Sequence, residues 1–397
     1  MAVSLLRVPT LPAVGLSALL LCPSGVTLAQ VQLPGAGVST PDGLEDARAA
    51  MAAGDWTTAW AHLDKAPSTD AVLRLRVDVA LELDRPSAAL SAWKLLWERG
   101  TGADALAQIA TYSARHLLSS TDPLIRSESD RLLAMAGDKA AVARLKRRMD
   151  DPAASPLERA AAAASLSASG DTAAARRFGT IAATVPERDR FSLIRLMPAL
   201  PDAVALELLA PMLKSTRSDV RYGAVLAISD RRGPEVLKVL RGFLASAPEG
   251  AAKLAAMLAL ANQGDRQMLA EVGKIAEHLG DRERLEYARA LLAAGDPQGN
   301  RHLGVVQNSD DEMLRLEAAA LVAKAAPGTG RDLLVGALGH SNLWVRLRAL
   351  ELLRVMPPQP NAFAHLLIAN EEWIRLRSAE LVLASPKPPP TPRAARP

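Results

Sequence analysis

One dipeptide does most to restrict what this chain can become. Gly-Asp recurs at 54–55, 137–138, 170–171, 264–265 and 295–296, each time behind an Ala/Leu-rich run such as Met51-Ala-Ala or Leu292-Ala-Ala. Glycine takes the left-handed conformation that ends a helix at no steric cost, and an aspartate behind it caps the next helix. The steps from 137 to 170 and from 264 to 295 are 33 and 31 residues. Punctuation with a period near 30 fits a stack of short helical hairpins in which each unit buries its core only against its neighbours. Composition agrees, because 49% of the chain is hydrophobic yet it holds only 6 Trp, 3 Tyr and 4 Phe, too few for a β-rich core. The expected class is all-α, an α-solenoid of stacked helical hairpins.

Within that frame, two kinds of hairpin stand out. Gly54-Asp-Trp-Thr-Thr-Ala59-Trp-Ala-His-Leu63 and Asp84-Arg-Pro-Ser-Ala-Ala89-Leu-Ser-Ala-Trp93 place small and large residues at matching positions, Ala59 and Ala89 being 30 apart. Ala lets helices approach closely while Leu63 and Trp93 fill the groove between them. On these residues, 43–120 resembles tetratricopeptide repeats. Further on come Asp219-Val-Arg-Tyr-Gly-Ala224, Met313-Leu-Arg-Leu-Glu-Ala318, Trp344-Val-Arg-Leu-Arg-Ala349 and Trp373-Ile-Arg-Leu-Arg-Ser378. Residues 121–385 thereby resemble HEAT repeats of the short, lyase-type kind. The resemblance implies that the apolar residue and the small residue four positions later face the core. It also implies that the Arg beside them pairs with an acid or amide of its own or the adjacent repeat; Asp311–Arg315, Glu371–Arg375 and Asn342–Arg346 have the i,i+4 spacing for such a pair.

The two ends differ from this pattern. Residues 1–29 carry one charge, Arg7, then an apolar stretch to Leu21 and Thr27-Leu-Ala29 before Gln30, the layout of a secretory signal. Cleavage after Ala29 is expected, with 30–42 as a linker; Leu21 before Cys22 disfavours a lipoprotein anchored through Cys22. No later segment is apolar for long enough to span a bilayer, so a periplasmic protein without an integral membrane segment is expected. Residues 386–397 hold six prolines with the preceding Ser385 and read as an extended, basic, disordered tail.

Charge and motifs exclude several chemistries. The net charge of +4 is spread over the whole chain, and the densest run, Arg144-Leu-Lys-Arg-Arg148, meets Asp150 and Asp151 at once. That run reads as a solvated helix end, and nucleic acid is not an expected partner. The histidines at 62, 116, 278, 302, 340 and 365 form no i,i+3 or i,i+4 pair, and one cysteine makes neither a disulfide nor a Cys-rich zinc site. No phosphate loop, nucleophile elbow or HExxH motif occurs, so no catalytic residue, metal or cofactor is assigned.

The function expected from these features is a non-catalytic periplasmic scaffold that binds a protein or peptide along the solenoid surface. The alternative is an enzyme, a HEAT-type lyase or lyase subunit acting on a protein-bound chromophore, which the family resemblance allows and the export signal disfavours. Two aromatic features could serve a partner. Trp56/Trp60 and Trp93/Trp97 each share a helix face, as core residues or as a peptide groove. At 100° per residue, Trp344, Arg348 and Glu351 align, as do Trp373, Arg377 and Glu380 one repeat later, opposite Val345 and Ile374; the two rungs form a candidate binding stripe.

Overall fold

The computed structural model describes residues 43–246, 250–325, 327–354, 356 and 359–384; the expected export signal 1–29, linker 30–42 and tail 386–397 lie outside them. Every regular element among the described residues is helical. In order these are α1 Leu44–Ala52, α2 Trp56–Lys65, α3 Asp70–Glu82, α4 Pro86–Glu98, α5 Ala103–His116, α6 Pro123–Met135, α7 Lys139–Asp150 and α8 Pro156–Ala168. There follow α9 Thr172–Ala182, α10 Arg190–Ile194, α11 Asp202–Met212, α12 Ser218–Ser229, α13 Pro234–Ala245, α14 Ala251–Asn262 and α15 Arg266–Gly273. The last are α16 Asp281–Ala293, α17 Gln298–Val306, α18 Glu312–Ala325, α19 Pro327–Ala337, α20 Leu343–Leu353, α21 Pro360–Phe363 and α22 Glu372–Leu383.

The Gly-Asp phrase acts as its chemistry requires. Gly170 has φ 97°, a left-handed value that lets the chain leave α8, and Asp171 then accepts from the amides of Ala173 and Ala174 at the start of α9. Asp55, Asp138 and Asp265 cap α2, α7 and α15 in the same way. Each such cap contributes about 1 kcal/mol.

The helices form a ring, and this differs from the array expected. Even-numbered helices pack on one another in sequence, α6 on α8 and so on through α10, α12, α14, α16, α18 and α20 to α22. Helix α22 then packs on α6 and along α5, which closes the circle. Odd-numbered helices lie between successive even ones, and the even row, whose members touch directly, is the tighter circle. At the seam Leu367, Leu376 and Ala379 enter one apolar cluster with Leu117, Ile125 and Leu132. Polar bonds cross it too: Ser113 donates to the Leu367 carbonyl at 2.7 Å, and Ser120 to Glu372 at 2.7 Å. The ninth even helix thus meets the first, so the terminal units of the ring have each other as neighbours. Helices α1–α4 stand outside the circle as an arm held through α3 and α4 on α5.

The repeat arginines find two kinds of partner: Arg346 meets an acid of the adjacent repeat, as expected, while others meet loop carbonyls. Asp311 accepts from the amides of Met313 and Leu314, so its carboxylate is spent on capping α18. Asn342 caps α20 at the Trp344 amide, and Glu371 pairs with Arg346 of the previous hairpin at 2.5 Å. The arginines reach back instead to carbonyls of the loop before their own helix: Arg126 to Ser120, Arg221 to Ser215 and Arg315 to Ser309, at 2.6–2.7 Å. A free helix-terminal amide competes for the nearby carboxylate, while the long guanidinium stem spans to otherwise unpaired loop oxygens. Arg144 and Arg148 are not a solvated helix end either; both turn inward to Asp130, whose side chain is fully buried.

Candidate functional site

A wide concavity lies where the arm joins the ring. It encloses about 2100 Å³ between α1, α3 and α5 on one side and the last turns of α6 and α22 on the other. Trp56, Leu81, Trp97, Met135 and Phe363 supply apolar wall, and Asp78, Glu82, Asp104, Arg74, Arg115 and His116 supply charge. Arg74 is tied to the Thr101 carbonyl at 2.8 Å. Burial pushes the Asp78 carboxyl up, with a hydrogen bond from Gln108 and the charge of Arg74 opposing.

Beside this groove, whose lining includes Tyr112 and His116, Asp84 of the preceding hairpin meets those two side chains. Asp84 follows α3 at φ 55°, the only non-glycine residue with positive φ among the described residues. Elsewhere in the chain that place in the turn belongs to the glycine of Gly-Asp, so an aspartate here costs backbone strain of about 1 kcal/mol. Its carboxylate accepts a hydrogen bond from the Tyr112 hydroxyl and stands 3.4 Å from Nε2 of His116. Tyr112 and His116 sit one turn apart on α5, ring centroids 4.6 Å apart. Burial, then the hydrogen bond to Asp84 and its charge, hold the phenol far above its ordinary value, so Tyr112 keeps its proton. His116 lines the groove with 48% of its side chain exposed, and the Asp84 carboxylate stands beside it.

The sequence could not pair His116 with anything on its own helix, because its partner lies 32 residues upstream. A signal existed nonetheless: Leu83-Asp84-Arg85 puts an aspartate where the other breaks carry glycine.

The residues of the proposed stripe lie in different settings. Trp344 is 62% exposed. Arg348 bridges Glu317 and Glu351, each at 2.9 Å, on the inner row. Trp373 packs at the seam with Arg377 over its ring at 5.6 Å. Glu380 is only 7% exposed and accepts from Arg377 at 2.6 Å and Arg131 at 2.8 Å. The tryptophan pairs are likewise split: Trp93 is buried in the core, whereas Trp56 and Trp97 border the groove.

A second charged cluster occupies the inner row. Glu286 on α16 accepts from Asn262 at 3.1 Å and Arg289 at 3.0 Å. Burial raises its carboxyl and Arg289 opposes the rise, while Glu317 and Asp230 add to it. Asp230, behind α12, is raised by burial against the charges of Arg289 and Arg348. Among the described residues no group of three or more His, Cys, Asp or Glu is placed to hold a metal ion, and no helix is long and apolar enough to cross a membrane.

Comparison with known proteins gives the fold. No family model matches, and no curated protein sequence matches. Human deoxyhypusine hydroxylase, solved with glycerol, is similar at 20% identity, TM-score 0.32, over 64% of this chain and 98% of its own. A crystal structure of an engineered protein is similar at 20% identity, TM-score 0.25, over 79% of this chain and 99% of its own. The likeness reaches a helical-repeat architecture and goes no further. It does correct one expectation. The neighbour is an enzyme by name, so the expectation of a non-catalytic scaffold is withdrawn, and the enzymatic alternative is taken up as a proposal.

Proposed function

We propose that this chain is a helical-repeat enzyme, or the substrate-holding subunit of one, that acts on a group carried by a polypeptide lying in the groove between arm and ring. The observation that carries the reading is the Asp84–Tyr112–His116 cluster at the edge of the groove, a carboxylate in a left-handed turn set against a phenol and an imidazole. A volume of about 2100 Å³ exceeds the roughly 300–1000 Å³ usual for a small-molecule pocket, which favours a large substrate. Trp56, Leu81 and Trp97 suit an apolar attached group, such as the chromophore that the lyase-type resemblance implies. In this reading His116 transfers the proton, Asp84 stabilises the imidazolium, and Tyr112 holds Asp84 in place. The export segment 1–29 would deliver the protein to the periplasm, with tetratricopeptide-like hairpins forming the arm.

The test uses the full chain purified from its native source and a bilin-bearing polypeptide as probe. Wild type should bind the probe and change its visible absorption. His116→Gln should keep binding and lose roughly 10²-fold or more in rate, the range for an acid–base group. A chain that neither binds the probe nor alters it overturns the reading, as does a His116→Gln variant of undiminished rate.

A further inference from the structure

The arginine near the start of α22 breaks the pattern of its equivalents. Arg126, Arg221, Arg284 and Arg315, near the starts of α6, α12, α16 and α18, each hold a carbonyl of the preceding loop, and Arg346 of α20 holds Glu371. Arg375 has the same place in α22, yet its half-buried side chain makes no hydrogen bond or ion pair among the described residues. Its Nε is buried without a partner. That is true of Arg284 and Arg346 as well, but their terminal nitrogens are bonded, whereas those of Arg375 are left for water or a ligand.

The packing fixes where this free group stands. Ser120, just past α5, donates at 2.7 Å to Glu372 in the first turn of α22, and Leu376 and Ala379 share one apolar cluster with Ala114 and Leu117 of α5. Arg375 is thereby held beside the end of α5, where its charge acts on the Tyr112 phenol against the upward push of burial and Asp84. The same end of α5 carries Arg115 and His116, both lining the groove, and the Arg115 side chain is likewise without a hydrogen bond or ion pair.

We propose that Arg375 and Arg115 form a seat for a carboxylate of the molecule that occupies the groove, and hold it beside His116. The seat gives the proposed function its substrate class and rests on that reading for the identity of the occupant, not for its own existence. Shape and charge select the anion. The planar fork of an arginine matches a carboxylate with two parallel hydrogen bonds. Asp84 stands at this corner, and Glu82 lines the groove just before it. Two arginines against two acids leave the corner near neutral while His116 is uncharged, so a doubly charged phosphate would meet twice the repulsion that a carboxylate meets. A seated carboxylate would also favour the protonated imidazole. The same chemistry is found on the propionate groups of a bilin and on the acidic side chains of a polypeptide.

The test begins with the protein alone. Full-length wild type is treated with phenylglyoxal in propionate, inorganic phosphate or chloride at equal ionic strength, and the adduct at each arginine is followed by mass spectrometry. Arg375 and Arg115 should label faster than the engaged Arg126 and Arg221. Propionate should slow both in a saturable way and leave Arg188, 84% exposed, unchanged. Absence of slowing, equal slowing by chloride, or better protection by phosphate would overturn the proposal. The second measurement is binding of a bilin-bearing polypeptide to wild type, Arg375→Gln and Arg375→Lys, each checked for unchanged helicity. Arg375→Gln should bind about ten- to hundredfold more weakly, and Arg375→Lys, which keeps the charge without the fork, should recover part of the loss. Esterified bilin propionates, or acidic side chains converted to amides, should reproduce the weakening in whichever of the two supplies the carboxylate. Undiminished binding by Arg375→Gln overturns the seat and leaves the groove reading in place. A wild type that binds no such polypeptide, yet is protected by propionate, overturns the groove reading and supports the seat.

Discussion

The arm and the ring are built from the same helical hairpins but are held in different ways. In the arm, Ala59 and Leu63 of α2 and Val72 and Val79 of α3 close a small cluster of their own, and attachment to the rest runs through α3 and α4, which pack on α5 and on residues 364–368. In the ring, each even helix is gripped from two sides, and α22 is gripped by residues some 250 positions earlier in the chain. The difference shows that connectivity along the sequence is a poor guide to mechanical support here. The C-terminal hairpin, last of the described helices, is locked in place by residues near the start of the ring. The groove lies where the two regimes meet, one wall from a loosely held arm and the other from a rigid seam.

The strongest way to break this comparison is to attack the seam. Glu380→Ala would leave Arg131 buried with one carboxylate, Glu128, where it had two, and removing a partner from a buried pair costs about 3–5 kcal/mol. Amide exchange should accelerate together in α5, α6, α20 and α22 while α1 and α2 keep their protection. If only α21 and α22 respond, the ring is not closed in solution. Leu63→Ala is the counterpart in the arm. It should cost about 2–5 kcal/mol locally, the range for a fully buried Leu, and speed exchange in α1–α4 without moving the main melting transition of the ring. A single shared transition for both variants would mean that arm and ring fold as one unit.

The smallest effect concerns the inner row. Burial raises the Glu286 carboxyl above the ordinary value of 4.5 in the folded ring. The native state then binds the proton more readily than the unfolded chain, so this group favours the fold at low pH and its contribution is lost as pH rises above about 4.5. Glu380 has the opposite sign: burial pushes it up, but Arg377 and Arg131 outweigh that and hold it low. Urea midpoints measured across the acid range should therefore depend on pH less steeply above 4.5 in Glu286→Gln than in wild type. Identical slopes would show that Glu286 is not buried as described. The arm variant Leu63→Ala should leave this slope untouched.

The helical class and its punctuation were legible because they are local. Gly170 and Asp171 do their work within a few residues, and so do the buried Ala349 and Ile374 that the family resemblance assigned to the core. Ring closure was not legible. Leu376 and Ala379 look like any repeat core residues, and nothing in the spacing says that their partners are Leu117 and Leu132. The candidate site was hidden for the same reason, since Asp84 and His116 come from successive hairpins and neither belongs to a motif. The inward turn of Arg144 and Arg148 depended on Asp130, a buried acid whose burial only the packing of α6 against α7 decides.

Closure also bears on how this protein can change over time. An open stack can gain or lose a hairpin at its end and remain a stack, one unit longer or shorter. A circle of nine even helices tolerates no such arithmetic: with one hairpin removed or duplicated, α22 would no longer meet α6, and the buried partners Arg131 and Glu380 would both be stranded. The count of hairpins is therefore a property of the whole, guarded by two side chains that only the last stretch of synthesis brings together.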